Sequence, residues 1–358
     1  MLEGAEEWGM KNRLASVWMH RGMALLNLNS APALLEAVSC FNQAIALRQA
    51  LPVESNHWFR YALSAGWINR ADALRQLEQP QRHPEALKSY DEALGLLRSL
   101  PLDQNPLYCR RLAIAWVHRG VLLQRNRSWQ MQSEAVNSFR KAIGVLELPS
   151  AANLADHQAL LAAAWANLAG ALINFDPEET NSAAAACVSA LTYARARKQT
   201  DAVALEAFLK ATDALCRLTV KSQSKQQVLT ADILSLTTDA IEETMHLVAG
   251  QGKQMRADFV ELVRRVFRFG CRIYECYQPQ FLAEYIEDYL KLLRSDRIEL
   301  DPSLLAMART AVRGALDSIF SRGFLFLDTP KHSLVLGEIR RLRLVAEQLQ
   351  EPIQELSH

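Results

Sequence analysis

Two residues beyond each of four tryptophans stand His20, Asn69, His118 and Asn167, and nine residues beyond stand Asn27, Gln76, Arg125 and Asn174. Five residues before two of them stand Arg13 and Arg111, with Ala62 and Leu160 at that place in the others. At 100° per residue these positions fall about 180–220° from the Trp, on one side of a helix. Imidazoles, carboxamides and guanidiniums are rich in donors. The chemistry open to such a row is recognition of carbonyl oxygens and carboxylates. A solvated face, or contact between neighbouring helices, is the plainer reading, because every helix has a polar side.

The elements that position this row are set by a ladder. Trp18, Trp67, Trp116 and Trp165 are each 49 residues apart. Four residues before each stands Leu14, Leu63, Leu112 or Leu161; four after, Gly22, Ala71, Gly120 or Ala169; seven after, Leu25, Leu74, Leu123 or Leu172. These positions share about 80° of a helix circumference and form one apolar stripe. A second frame follows each: Ala37-Val38, Phe41 and Ala44-Ile45; Ala86-Leu87, Tyr90 and Ala93-Leu94; Ala135-Val136, Phe139 and Ala142-Ile143. In the fourth unit it returns one residue early, as Ala183-Ala184, Cys187 and Ala190-Leu191. The spacing predicts paired helices over about 6–28 and 32–50, 55–78 and 83–99, 106–126 and 131–147, and 153–174 and 178–198. Breaker-rich connections make each pair antiparallel, and Pro52, Pro101 and Pro149 close the first three units.

The Trp, Gly or Ala, and Leu of the first helix, followed by Ala-x3-Phe-x2-Ala and a closing Pro, resemble the tetratricopeptide repeat over about residues 5–200. The period of 49 exceeds that family's, through extra turns before each Trp, a longer inter-helix loop and a late Pro. The resemblance implies an all-α, right-handed α-α superhelix, a solenoid of antiparallel hairpins whose first helices line a concave surface. There, in the family, inward Asn and basic side chains hold an extended peptide or its terminal carboxylate. Carried onto this sequence, it nominates Arg13, His20, Asn27, Asn69, Gln76, Arg111, His118, Arg125, Asn167 and Asn174 as peptide-binding residues. One departure stands out. Where the family has Leu three residues after the Trp, this chain has Arg21, Arg70 and Arg119, and only the fourth unit has Leu168. Glu36, Glu85 and Glu134 recur near the start of the second helix, where the fourth unit has Ser182. Arg and Glu are present together three times and absent together once, which predicts a pair within each of the first three hairpins.

Beyond residue 200 the ladder fades while helical periodicity continues, over about 201–220, 227–249, 254–277, 280–294, 302–327 and 331–350. Two regions follow: four repeats over 1–200, then degenerate hairpins over 201–358 that continue or cap the solenoid, for about seven hairpins in all.

Lys plus Arg (40) nearly cancels Asp plus Glu (39), so no global field draws the chain to nucleic acid or an anionic membrane. The most apolar run, 158–175, carries Asn167 and keeps the Trp phase, which marks a buried repeat helix rather than a membrane span. Six scattered Cys without a CxxC pair fit free thiols in a reducing cytoplasm. His20 and His118 lack a ligand at i+3 or i+4, so no metal is expected. No phosphate loop, Gly-x-Ser-x-Gly elbow or HExxH occurs, and neither catalysis nor a cofactor is expected. The strongest local charge is Lys253, Arg256, Arg264, Arg265, Arg268 and Arg272 among Phe267, Phe269, Tyr274 and Tyr277. It offers nucleic-acid binding as the alternative to intramolecular pairing with Glu284, Glu287 and Asp288. The expected function is a non-catalytic scaffold for a protein or peptide, with self-association through the groove or an uncapped end left open. An enzyme pocket in the C-terminal half is the third alternative.

Overall fold

The computed structural model describes residues 2–126, 128–175, 179–224, 230–250, 257–277, 281–294, 306, 308–314, 316 and 340–347. Among the described residues all regular structure is helical. In chain order the helices are α1 (Leu2–Leu28), α2 (Ala31–Gln49), α3 (His57–Gln76), α4 (His83–Arg98), α5 (Pro106–Leu123) and α6 (Trp129–Leu146). They continue as α7 (His157–Phe175), α8 (Thr180–Arg195), α9 (Ala202–Ser224), α10 (Ala231–Gly250), α11 (Ala257–Tyr277) and α12 (Leu282–Arg294). The helices expected over 302–327 and 331–350 lie largely outside the described residues. None of the described helices is long and apolar enough to cross a membrane.

Helix starts follow local chemistry. Asn56 and Asn105, one repeat apart, each accept a hydrogen bond from a backbone N–H of the following turn, Trp58 N at 2.9 Å and Leu107 N at 3.0 Å. Pro106 occupies the first helical position of α5, where a missing N–H costs nothing. The α1–α2 link closes on Asn29 at φ 47°, a left-handed residue at the helix end that Asn tolerates. At Pro149–Asn153 a 3₁₀ turn intervenes, so α7 begins at His157 and not near 153.

The chain divides into two compact units, Met1–Phe175 and Asp176–His358, with the division between α7 and α8. In the first unit α1 pairs with α2, α3 with α4 and α5 with α6, and each second helix packs on the first helix of the next repeat. Consecutive first helices touch only lightly. This is a helical solenoid in which hairpins stack in chain order. In the second unit α9 is the hub, packed chiefly against α8 and α11 and less against α10. Small residues at Ala204, Ala207, Ala211 and Ala214 let neighbours close on several sides of α9, with Phe208 and Leu215 fully buried among them.

The stripe supplies the core of the first unit. Leu63, Leu112 and Leu161 are 2–3% exposed and Leu74, Leu123 and Leu172 0–2%. A Cβ built on Gly120 would lie 2.6 Å from Cε1 of Phe139, and one on Gly22 2.5 Å from Cε1 of Phe41. Glycine there lets the aromatic ring of the second helix rest on the backbone of the first. The indoles are less interior than the stripe. Trp116 is buried, while Trp18, Trp67 and Trp165 are half-buried. Arg21, Arg70 and Arg119 extend over the Trp of their own repeat, with guanidinium carbons 5.6, 5.8 and 5.9 Å from the ring centroids.

Arg21 bonds Glu36, Arg70 bonds Glu85, and Arg119 Nη2 donates to Glu134 at 3.3 Å. The expected pairs form, and each of the later two arginines also reaches backwards. Arg70 Nε donates to Asn42 at 2.7 Å and Arg119 Nε to Asp91 at 2.8 Å, both on the second helix of the preceding hairpin. These side chains therefore tie hairpins to each other as well as closing their own.

Trp116→Ala is expected to cost about 3–5 kcal/mol by equilibrium denaturation, since the ring is buried and its cavity cannot fill; an unchanged midpoint would remove it from the core. A double-mutant cycle on Arg119→Ala and Glu134→Ala should give a coupling of roughly 0.2–1 kcal/mol, the range for partly exposed pairs. Strict additivity would show that the two side chains do not interact.

Candidate ligand-binding groove

Where α1, α3 and α5 run side by side in the first unit, a cavity of about 450 Å³ opens between their polar faces. Four residues of the donor row line it: His20 from α1, Asn69 from α3, and Arg111 and His118 from α5. Others of the row lie elsewhere. Arg13 and Asn27 are exposed on α1, and Gln76 is half-buried at the end of α3. Arg125 donates to the backbone oxygen of Arg75 at 3.0 Å and faces Glu78 at 3.7 Å, so it braces the end of α3. Asn167 turns its amide onto its own helix, donating to Ala163 O at 2.7 Å, and Asn174 is exposed near the end of α7.

Two guanidiniums converge on successive carbonyls of α3. Arg111 Nη1 donates to Tyr61 O at 2.7 Å and Arg48 Nη1 to Ala62 O at 2.7 Å. The guanidinium carbon of Arg111 also lies over the Tyr61 ring, 3.4 Å from its centroid. Tyr61 is itself flanked by Trp58 and Tyr108, with centroids 5.8 and 5.3 Å away. Burial lowers the pKa of Arg111 to about 10, and the neighbouring charges of Arg48 and Arg110 push the same way, while Tyr61 opposes. Burial also lowers Arg48. At neutral pH Arg111 stays charged. Among the described residues neither Arg48 nor Arg111 is in an ion pair, whereas Arg110 on the rim is bound to Asp156 at 2.8 Å. The result is a cationic site against an aromatic wall, with Met19, Ile68 and Ile114 supplying apolar lining.

A carboxylate sits at the base. Asp72 is buried and accepts from the Tyr90 hydroxyl at 2.6 Å. His118 Nδ1 stands 2.9 Å from Asp72 Oδ1 and 3.1 Å from Oδ2. Arg75 adds a longer contact at 3.4 Å. Burial drives the Asp72 pKa upward, but His118, Arg75 and Tyr90 together outweigh it and hold the carboxyl below its ordinary value. Burial and the adjacent carboxylate raise Tyr90 well above the ordinary phenol value, so it remains a donor. Because an ionised carboxylate can only accept, Nδ1 of His118 is the donor in this contact.

Asp72, Tyr90 and Arg48 were not singled out from sequence, although each leaves a trace in the repeat. Asp72 stands where the other units have Met23, Val121 and Gly170. Tyr90 replaces Phe41 and Phe139, so carboxylate and hydroxyl enter in the same unit. Arg48 stands where Leu97, Leu146 and Ala194 fill the core.

The basic stretch of the second unit is partly neutralised from within, by a partner other than those expected. Arg265 binds the buried Asp213 of α9 at 2.5 Å, and Glu284 pairs with Arg341. Burial raises Asp213, outweighing Arg217 and Arg265. Arg268 and Arg272 are exposed. Lys253, Arg256 and the side chain of Tyr277 lie outside the described residues.

No model of a known protein family matches the chain, and no curated protein matches it. Among solved structures it is similar to a circular tandem repeat protein with novel repeat topology and enhanced subunit contact surfaces. The identity is 14%, covering 97% of this chain and 88% of that one, with a TM-score of 0.34. A superposition that loose fixes neither topology nor function.

Asp72→Ala would leave His118, Arg75 and Tyr90 without their common acceptor, at a cost of about 3–5 kcal/mol near neutral pH. The folded carboxyl titrates below its unfolded value of about 3.9, so its stabilisation is present above that pH and lost as pH falls through the folded value. Denaturation from pH 7 downward should show the gap between wild type and variant narrowing only below about pH 4. A gap independent of pH would mean that the ionised carboxyl is not what stabilises this site.

Proposed function

We propose that the chain is a non-catalytic interaction scaffold, tetratricopeptide-like in its repeats, whose α1–α3–α5 groove holds a peptide or partner segment through an anionic group. A terminal or side-chain carboxylate is the anion that suits it. The observation that carries this reading is the pair Arg48 and Arg111, fixed by Tyr61 O and Ala62 O and left without an acidic partner among the described residues. Buried guanidinium charge against an aromatic wall favours a carboxylate with an apolar neighbour. Because the donors are already held by backbone carbonyls, little side-chain freedom remains to be lost on binding. His20, Asn69 and His118 add donors or acceptors along the groove for an extended backbone.

The setting that fits best is cytoplasmic. Cys40, Cys109, Cys187, Cys216 and Cys271 are free and buried, and burial lifts the Cys187 thiol to about 12. Unreactive protonated thiols of this kind suit a reducing compartment.

Panning a displayed peptide library with free C-termini on the wild-type chain should enrich sequences that share a carboxylate beside an apolar residue. Arg111→Ala, checked for helix content by circular dichroism, should lose at least about tenfold in affinity for the enriched peptides. Failure to enrich any sequence class, or equal binding by the variant, would overturn the reading.

A further inference from the structure

Leu14 is 50% exposed, although its equivalents Leu63, Leu112 and Leu161 are buried. Three more apolar side chains lie on the same side of α1. Met10, Val17 and Leu28 are exposed at 64, 62 and 69%. With Leu14, Arg21 and Ala24 they fall at 10, 14, 17, 21, 24 and 28, alternating steps of four and three that lay one straight seam over residues 10–28 of α1. At the matching places of α3, Leu63, Gly66, Ala73 and Leu77 are buried, and α2 packs on that helix. On α5, Leu112, Ala115 and Leu122 are buried, and α4 packs there. In the repeat this stripe is a seat for a helix, and on α1 the seat is bare.

We propose that α1 docks against α1 of a second copy of this chain, antiparallel, as the interface of a symmetric homodimer. The seam carries a single charge, Arg21, already bound to Glu36. A parallel arrangement would set Arg21 against the partner's Arg21 and align Glu6 and Glu7 of both chains, which is repulsive. Turned antiparallel about position 19, Arg21 meets the partner's Val17, Leu14 meets the partner's Ala24, and Met10 meets the partner's Leu28. Leu14 and Arg21 then fall opposite the smaller Ala24 and Val17, Met10 and Leu28 close the two ends of the seam, and the two helix dipoles oppose. A two-fold contact closes on itself and leaves no further seat open. The groove-lining residues of α1 lie on average about 130° round the helix from the seam, with His20 nearest at about 80° and Ser16, Met19 and Met23 farther, so most of the groove face stays clear of the dimer.

Sedimentation velocity on the full chain over a concentration series should give twice the 40.2 kDa chain mass. Leu14→Glu combined with Val17→Glu should shift the equilibrium toward monomer by at least about tenfold, the cost of burying unpaired charge. Both side chains face water in the single chain, so helix content and melting temperature of the variant should match those of monomeric wild type. A wild type that is monomeric throughout, or a variant that still dimerises, overturns the proposal. Under mild oxidation Leu14→Cys with Ala24→Cys should cross-link two chains while Leu14→Cys alone does not; efficient cross-linking by the single variant overturns the antiparallel pairing.

Discussion

The contact on which this architecture depends is a ring resting on a bare backbone. Phe41 and Phe139 lie against Gly22 and Gly120, where a Cβ would come within about 2.6 Å of ring carbon. That approach sets the separation of the two helices in a hairpin, and with it the rotation at which the first helix presents its remaining faces. The first and third hairpins share this contact, and the second places Ala71 and Tyr90, both buried, at the same positions, so the rotation is kept from hairpin to hairpin. The leucine stripe then meets the second helix of the preceding hairpin each time, and the opposite face is left open.

The polar chemistry obeys the same period. His118 reaches Asp72 across 46 residues, while Arg111 and Arg125 reach backbone oxygens of α3 across 50. Each of these contacts joins a first helix to the one before it. Arg70 and Arg119 join a first helix to the second helix before it, at a separation of 28. Hairpins are thus coupled by two layers: leucines excluding water beneath, and charge-assisted hydrogen bonds at the margin. The margin contributes modestly where it is wet and more where, as at Asp72, both the carboxylate and its donors are withdrawn from solvent.

Repetition also shows where the chain departs from its own rule. Arg48 takes a core leucine's place, Asp72 and Tyr90 enter together, and the α1 seam is exposed where its counterparts on α3 and α5 are covered. The first two departures build the groove and the third exposes the seam. In the second unit α9 takes the central place, packing chiefly on α8 and α11, with Ala204, Ala207, Ala211 and Ala214 buried in those contacts.

The order of amino acids was sufficient for the first three helical hairpins, the helix lengths within a turn or so, the leucine core and the Arg–Glu pairs. All of these depend on spacing within one repeat, where 3.6 residues per turn converts position into direction. It also put His20, Asn69, Arg111 and His118 on a common face. It was not sufficient for the division between α7 and α8, where the ladder pairs them and the structure packs α8 on α9. Tertiary structure alone decided that these four meet one cavity while Asn167 bonds its own helix and Arg125 braces a neighbouring one. It alone seated two arginines on the carbonyls of Tyr61 and Ala62 and brought Asp72 beneath His118. Periodicity specifies which way a side chain points from its own axis. The distance and shift between two axes come from how whole hairpins pack, and hydrogen bonds that tolerate only a few tenths of an ångström are settled there.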